Sequence, residues 1–262
     1  PNTEQLILRM VQDLFEENEV AVVTGDAETG ASLLEQPWNH IFFTGSPNVG
    51  KIVMTAAAKH LTSVTLELGG RNPAIVDETA NLKDTAEKLI WGKCFNAGQS
   101  CISPNYVLVH SSRYDALLGK LEIAVNKIYS NDKQEMEEDS GFPRIVNKQN
   151  FERVKGVVNN AISDGAKVFL GGNFNAEDNY VSPTILTNVT TNSAIFQEEI
   201  FGPVLPIIKY DKWSEVFETI NSEEIPLALY LFSKSSKNIN RVLASTSAGT
   251  SCINETSVQF IH

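Results

Sequence analysis

Short apolar runs alternate with helical patterns along residues 1–70 of the chain. Residues 20–24, 40–44 and 64–68 are rich in β-branched and aromatic side chains, as expected of strands buried on both faces. Segments with helical spacing precede or separate them, and the connections are short. Because parallel strands need helical crossovers, this order predicts a parallel α/β sheet. We expect residues 1–70 to be the later part of a doubly wound, Rossmann-like domain.

A second series of strands and helices follows the glycine pair Gly69-Gly70, which we predict as the boundary between domains 1–70 and 71–262. An acidic run at 132–139 separates two helical patterns and is predicted to be a solvated loop. The predicted strands of this series cover 74–77, 106–110, 181–186, 204–208 and 227–232, and its predicted helices cover 82–94, 114–129, 150–163, 213–221 and 237–245. Helices are also predicted at 3–15 and 47–59, the latter capped by Ser46.

Charge and cysteine content narrow the function classes. The net charge of -11 argues against a nucleic-acid or anionic-membrane partner, because phosphates would be repelled over most of the surface, and a small-molecule ligand fits better. Three cysteines are too few for a disulfide framework, and no Cys/His group has metal-ligand spacing. These features predict a reducing, cytoplasmic location without a metal. The sequence has no stretch of about 18 apolar residues.

A glycine-rich turn enters the helix predicted at 47–59. Gly45-Ser-Pro-Asn-Val-Gly50-Lys51 matches the first seven positions of a phosphate-binding P-loop, but Ile52 replaces the Ser or Thr that binds magnesium. A Gly-Ser turn at a helix N-terminus also suits a dinucleotide pyrophosphate. The alternative is that the glycines only permit a tight turn.

Two side chains in the middle of the chain are candidates for covalent chemistry. Glu67 ends an apolar strand, where a partly desolvated carboxylate facing a crevice acts as a general base. Cys101 follows the polar loop Asn96-Ala-Gly-Gln-Ser, whereas Cys94 and Cys252 lie in apolar patterns and are interpreted as core residues. A loop cysteine is more accessible and easier to activate. Each residue also has an ordinary structural interpretation, as an exposed strand carboxylate or an inert thiol.

A second polar segment precedes a Gly-Pro turn at 202–203. On extended backbone Glu199 and Phe201 would point the same way, offering a hydroxyl acceptor and a flat ring to one ligand. The alternative is an ordinary turn before the next strand.

Four motifs, taken together, resemble the aldehyde dehydrogenase superfamily. They are Phe43-Thr-Gly-Ser46 with Gly50, Leu66-Glu67-Leu-Gly-Gly70, Gly98-Gln-Ser-Cys101 and Glu198-Glu199-Ile-Phe-Gly-Pro203, in this order along the chain. Trp91-Gly-Lys93, Pro206-Ile207 and Pro226-Leu-Ala-Leu-Tyr230 look most like the class 3, fatty-aldehyde branch. That branch acts on aromatic and medium-to-long aliphatic aldehydes.

The resemblance implies a covalent oxidation of an aldehyde to a carboxylic acid with NAD or NADP. Cys101 would add to the carbonyl and form a thiohemiacetal and then a thioester, and Glu67 would activate the hydrolytic water. It implies a homodimer, a cofactor domain at 1–70 and a catalytic domain at 71–262. The cofactor contacts that it implies are at Gly45, Ser46, Gly50, Leu68, Glu199 and Phe201.

The family pattern also includes parts that are not found in this chain. These are the first half of the cofactor fold, an oxyanion-hole asparagine upstream and a Pro-Phe-Gly-Gly turn downstream. We therefore expect a partial enzyme that carries nucleophile and base but is inactive alone. Two alternatives stay open: a non-catalytic module that depends on a partner chain, and a magnesium ATPase built on 45–51.

Overall fold

The computed structural model describes residues 2–129 and 141–261. The acidic run predicted as a loop at 132–139 lies outside these residues. The chain divides into two compact units, residues 1–68 and 69–262, each described by itself. Among the helices of the described ranges, none is long and apolar enough to cross a membrane.

The first unit contains a two-stranded parallel sheet with a helical crossover. Strand β1 pairs with β2 in parallel, so that Thr44 lies opposite Glu67. The crossover helix begins at Pro47, where Ser46 Oγ accepts a hydrogen bond of 3.4 Å from the Val49 N–H, as the sequence predicts. The elements of this unit are α1 (Asn2–Leu14), α2 (Ala27–Leu34), β1 (His40–Gly45), α3 (Pro47–Ala58) and β2 (Ser63–Leu68).

The prediction of a strand at 20–24 is wrong. These residues form neither helix nor strand, and Val20 and Val23 are exposed. An isolated apolar run does not remain extended as a strand without a neighbouring backbone to bond with. The sheet of this unit contains only β1 and β2 among the described residues, so the run at 20–24 has no partner there.

The second unit is built on a seven-stranded sheet in the order β11-β10-β3-β4-β9-β8-β5. Every pairing is parallel except that of β5 with β8, so the predicted α/β class is confirmed. The strands are β3 (Pro73–Val76), β4 (Tyr106–His110), β5 (Lys167–Leu170), β6 (Phe174–Asn175), β7 (Tyr180–Val181), β8 (Thr184–Thr187), β9 (Val204–Tyr210), β10 (Ala228–Phe232) and β11 (Thr250–Ile253). The helices are α4 (Leu82–Cys94), α5 (Tyr114–Tyr129), α6 (Lys148–Ser163), α7 (Trp213–Asn221) and α8 (Ser236–Ser245).

The single strand predicted at 181–186 is two strands in the structure. β7 pairs with β6, whereas β8 pairs with β9, and Ser182 and Pro183 separate them. Proline has no N–H to donate to a sheet, so a proline in the middle of an apolar run ends one strand before the next begins.

Candidate active site

Cys101 lies in a tight turn after helix α4. A short 3₁₀ segment at Phe95–Gly98 follows the helix, and the Ser103 N–H then donates to the Ser100 carbonyl oxygen at 3.0 Å, which closes a turn around Cys101. Cys101 is half-buried. The turn presents its thiol at the boundary between core and surface, as expected of a loop cysteine.

The other two cysteines lie in the core. Cys94 and Cys252 are buried, which confirms their interpretation as core residues. Burial raises the pKa of the Cys94 thiol to about 12, although the nearby Lys93 lowers it. Cys94 therefore stays a neutral thiol at physiological pH.

The backbone before Cys101 has left-handed dihedral angles at three successive residues. Asn96 and Ala97 have φ of 50° and 52°, and Gly98 has φ of 72°. A left-handed residue that is not glycine costs about 1 kcal/mol or more. Gln99 stabilises the loop, since its Nε2 donates to the Asn96 and Arg144 carbonyls at 3.0 Å each and its Oε1 accepts from the Val146 N–H at 2.9 Å.

Gly98 brings the Cys101 loop against the segment that contains Glu199. A Cβ at Gly98 would lie 2.2 Å from the Gly202 carbonyl oxygen. Only glycine permits this approach, since the backbone atoms on the other side have no freedom to retreat. The structure thus brings two of the four sequence motifs, those of Cys101 and of Glu199, into contact.

We expect Gly98→Ala to lower the free energy of unfolding by about 2 kcal/mol or more, because the new methyl group meets backbone and the residue is left-handed. Urea denaturation measures the change. Gly119→Ala is the matched control, since Gly119 lies in α5 and a Cβ there meets nothing within 4 Å. We expect this control to gain about 0.5–1 kcal/mol from helix propensity. A Gly98→Ala variant as stable as the wild type would contradict the packing argument.

Two buried or half-buried side chains hold the Glu198–Ile200 backbone. Asn105 Oδ1 accepts from the Ile200 N–H at 2.9 Å, and its Nδ2 donates to the Glu198 carbonyl at 3.3 Å. Arg153 donates to the Glu199 carbonyl at 3.3 Å and to the Ile200 carbonyl at 2.8 Å. Neither side chain was identified from the sequence. Their backbone partners are 45 or more residues distant, and local patterns carry no signal of such contacts.

Glu199 has a buried oxygen that lacks a partner within the described residues, its Oε1. Burial raises the pKa of Glu199 to about 7, although the Gly70 N–H, Lys93 and Arg153 lower it. The glycine at position 69 leaves room for the carboxylate, because a Cβ there would lie 2.3 Å from Oε2. A buried acceptor without a partner is costly, so Oε1 is suited to a hydroxyl donor from a ligand.

Phe201 does not continue an extended backbone from Glu199. Its φ is 46°, in the left-handed region, and its side chain is exposed. The expectation that Glu199 and Phe201 point the same way through strand alternation is therefore wrong. The backbone turns at Phe201, before Gly202 and Pro203.

The segment at 45–51, at the N-terminus of helix α3, does not have the form of a P-loop. In a P-loop the glycine-rich residues form a loop around phosphate, whereas here α3 begins at Pro47 and includes Lys51. The Gly50 N–H bonds the Ser46 carbonyl at 2.9 Å, so it is used within the helix. This geometry argues against the ATPase alternative.

The remaining predicted cofactor residues of this unit have visible packing roles. A Cβ at Gly50 would lie 2.9 Å from Leu68 Cδ2, so the glycine lets α3 approach the end of β2. At Gly45 a Cβ would lie 2.4 Å from the Phe43 ring. These contacts explain the residue types in structural terms, and their cofactor contacts stay predictions.

Glu67 is exposed near the carboxyl end of β2. The expectation of a partly desolvated carboxylate is therefore wrong, because its side chain keeps access to water. Glu67 belongs to the first unit and Cys101 to the second.

In the parts of the chain that the structure describes, no group of three His, Cys, Asp or Glu side chains is arranged to hold a metal ion.

Known proteins resemble this chain in sequence and in fold. The family model "Aldehyde dehydrogenase family" matches residues 1–261. The chain is 47% identical to the putative aldehyde dehydrogenase AldX of Bacillus subtilis, over 99% of this chain and 58% of that protein. It is 42% identical to human aldehyde dehydrogenase family 3 member B1, over 97% of this chain and 53% of that protein. The substrate-bound state of Staphylococcus aureus AldH superimposes with a TM-score of 0.94 at 39% identity, covering 100% of this chain and 56% of that one. The chain thus spans about half the length of the relatives that it matches, and it belongs to the aldehyde dehydrogenase family.

Proposed function

We propose that the intact protein that contains this chain oxidises aldehydes to carboxylic acids with NAD or NADP, through a covalent intermediate on Cys101. The observation that carries the proposal is the position of Cys101. Of the three cysteines, Cys101 alone is half-buried and lies in a turn, whereas Cys94 and Cys252 are buried. We propose aromatic and medium-to-long aliphatic aldehydes as the substrate class, by analogy with the class 3 branch.

Cys101 is the nucleophile in this mechanism. Its thiolate sulfur forms a bond to the aldehyde carbon, and the carbonyl electron pair moves to oxygen, giving a thiohemiacetal oxyanion. The backbone N–H of Cys101 is the proposed donor to this oxyanion, because a fixed amide stabilises charge that develops in the transition state.

Glu199 is the residue of this chain best suited to bind the cofactor. Its Oε1 is buried without a partner in the described residues, and this fits an oxygen that accepts from a ribose hydroxyl. When bound, NAD or NADP would supply a hydride acceptor, and loss of hydride from the thiohemiacetal would leave a thioester on Cys101. Ser46 and the start of α3 would meet the pyrophosphate, since a helix N-terminus favours anions. Gly45, Gly50, Leu68 and Phe201 are further proposed contacts.

Glu67 is the proposed general base. Its carboxylate takes a proton from water while the water oxygen attacks the thioester carbon. The C–S bond breaks, the Cys101 thiolate is regenerated and a carboxylic acid leaves. The overall reaction consumes aldehyde, water and the oxidised cofactor, and it yields acid, reduced cofactor and one proton.

The direct test supplies aldehydes of increasing chain length with NAD or NADP and follows the absorbance of the reduced cofactor. Acid and reduced cofactor should form in equal amounts. A protein containing this chain that reduces neither cofactor with any aldehyde would contradict the proposal. The homodimer and the cytoplasmic location stay predictions.

Cofactor affinity should depend on pH through Glu199. Its pKa is raised to about 7 by burial, and hydroxyl donors bind the ionised carboxylate better than the neutral acid. Ionisation increases as the pH rises, so we expect the cofactor dissociation constant to fall by up to about tenfold between about pH 6 and pH 8. Calorimetric titration of the protein with reduced cofactor measures this change.

Glu199→Gln should bind the cofactor weakly and without this pH dependence. Glu198→Gln is the matched control, since Glu198 is the neighbouring carboxylate and its side chain is 44% exposed beside Arg153. We expect this control to keep the wild-type pH dependence. If the cofactor dissociation constant still depends on pH in Glu199→Gln, another group causes this dependence and the proposed role of Glu199 is wrong.

A further inference from the structure

The turn that carries Cys101 is held from inside by two side chains that are distant in sequence. Asn72 Nδ2 donates to the Cys101 carbonyl at 2.8 Å and to the Ser103 carbonyl at 3.0 Å. Tyr230 Oη donates to the Ile102 carbonyl at 2.5 Å. Both side chains are 0% exposed. Three consecutive carbonyls of the turn therefore accept hydrogen bonds from the core.

The Asn72 amide has one orientation that satisfies its surroundings. Its Oδ1 accepts from the Ala228 N–H at 2.8 Å, while its two N–H hydrogens serve the two carbonyls of the turn. A flipped amide would place an oxygen against two carbonyl oxygens, and an aspartate would have no hydrogen to donate. Position 72 therefore requires both donors and an acceptor on one short side chain.

The Tyr230 hydroxyl is a permanent donor. Burial raises the pKa of Tyr230 to about 12, so the hydroxyl keeps its proton throughout the neutral range. It also accepts from Gln259 Nε2 at 3.2 Å, which directs its hydrogen toward the Ile102 carbonyl. Tyr230 lies in the buried strand β10, whose neighbours β3 and β11 fix its position.

These contacts determine the orientation of the peptide groups around the thiol. In a planar trans peptide the C=O and N–H bonds point in opposite directions. Holding the Cys101 carbonyl against Asn72 therefore directs the Ile102 N–H away from Asn72. Backbone N–H groups on the outer side of a turn favour a thiolate, because they stabilise negative charge.

We propose that Asn72 and Tyr230 are positioning residues, which fix the Cys101 turn in the geometry that makes its thiol reactive. The proposal rests on the proposed role of Cys101 as nucleophile, but it concerns the turn and not the aldehyde. Neither side chain is assigned a contact with substrate or cofactor.

The test compares two tyrosine variants of the protein, Tyr230→Phe and Tyr210→Phe. Each variant removes one hydroxyl of a buried tyrosine that donates to a backbone carbonyl. The Tyr210 hydroxyl donates to the Val76 carbonyl at 3.5 Å. Iodoacetamide alkylation of Cys101 is followed by peptide mass spectrometry from about pH 6 to about pH 10, where thiols titrate, with the Cys94 and Cys252 peptides as internal references. Urea unfolding is measured in parallel.

For Tyr230→Phe we expect the midpoint of the Cys101 alkylation profile to rise and the rate at neutral pH to fall about threefold or more, since fewer thiolates form. Tyr210→Phe should lower the urea midpoint but leave the pH profile of Cys101 alkylation at its wild-type position. An unchanged profile in Tyr230→Phe, or an equal change in both variants, would overturn the proposal. Alkylation needs no dehydrogenase activity, so this result is independent of whether the protein oxidises aldehydes.

A second pair of variants keeps the test decisive if Tyr230→Phe does not fold. Asn72→Ser retains only one donor beside the turn, and Asn238→Ser alters another buried amide, which donates to Asp77 at 2.9 Å. We expect the rise in the alkylation midpoint in Asn72→Ser only. A wild-type profile in Asn72→Ser would remove Asn72 from the assignment.

Discussion

Replacement of Cys101 by alanine is expected to reduce aldehyde oxidation about a thousandfold or more, because no other group can form the covalent intermediate. Cys94 cannot substitute for it, since it is buried and burial raises the pKa of its thiol to about 12. Cys252 is likewise buried, and burial raises its pKa. The measurement is the initial rate of cofactor reduction at saturating aldehyde.

The matched controls for this loss are Cys94→Ala and Cys252→Ala. Each removes one buried sulfur, so each should lower the urea midpoint slightly and leave the rate per folded molecule near that of the wild type. Wild-type turnover in Cys101→Ala would exclude Cys101 as the nucleophile. Loss of turnover in Cys252→Ala without unfolding would move the assignment there.

Glu67→Gln is expected to slow turnover about a hundredfold or more and to let the thioester accumulate, because general base catalysis is worth this much in proton transfer from water. Acid quench during turnover, followed by intact mass measurement, should detect one acyl group per chain. The adduct should map to the peptide that contains Cys101.

Glu35→Gln is the matched control for Glu67→Gln. Glu35 is an exposed carboxylate of the same unit, paired with Lys59 at 2.7 Å, and surface pairs of this kind contribute little. We expect normal turnover and no adduct in this variant. If Glu67→Gln slows turnover without trapping acyl protein, Glu67 acts at another step and hydrolysis depends on a different base.

Local sequence patterns predicted the elements whose formation depends on residues that are close in sequence. Helix α4 was predicted at 82–94 and observed at Leu82–Cys94, since its apolar spacing and its flanking residues are local. The run at 20–24 looked equally regular but is not a strand, because strand formation needs a partner that the run itself does not encode. Strand β5, at one edge of the sheet, was not predicted, and its exposed residues explain why the apolar pattern was weak.

The candidate site was predictable in its motifs but not in its supports. Cys101 and Glu199 stand in short recognisable segments, whereas Asn72 and Tyr230 reach the Cys101 turn across 29 and 128 residues of sequence. A polar residue next to a run of buried strand residues, as Asn72 is before β3, was the one available signal. No sequence signal indicated the left-handed backbone of Phe201, because phenylalanine has no preference for that region.

The Glu199 Oε1, which has no hydrogen-bond partner among the described residues, affects the free energies of both folding and binding. Its water is removed when the chain folds, so the cost of desolvation lowers the stability of the empty protein and does not lower the affinity for a ligand. A ligand hydroxyl that binds after folding meets an acceptor that is already desolvated and fixed in position. The ligand-free protein therefore carries this cost, and a ligand hydroxyl that bonds to Oε1 would stabilise the folded protein.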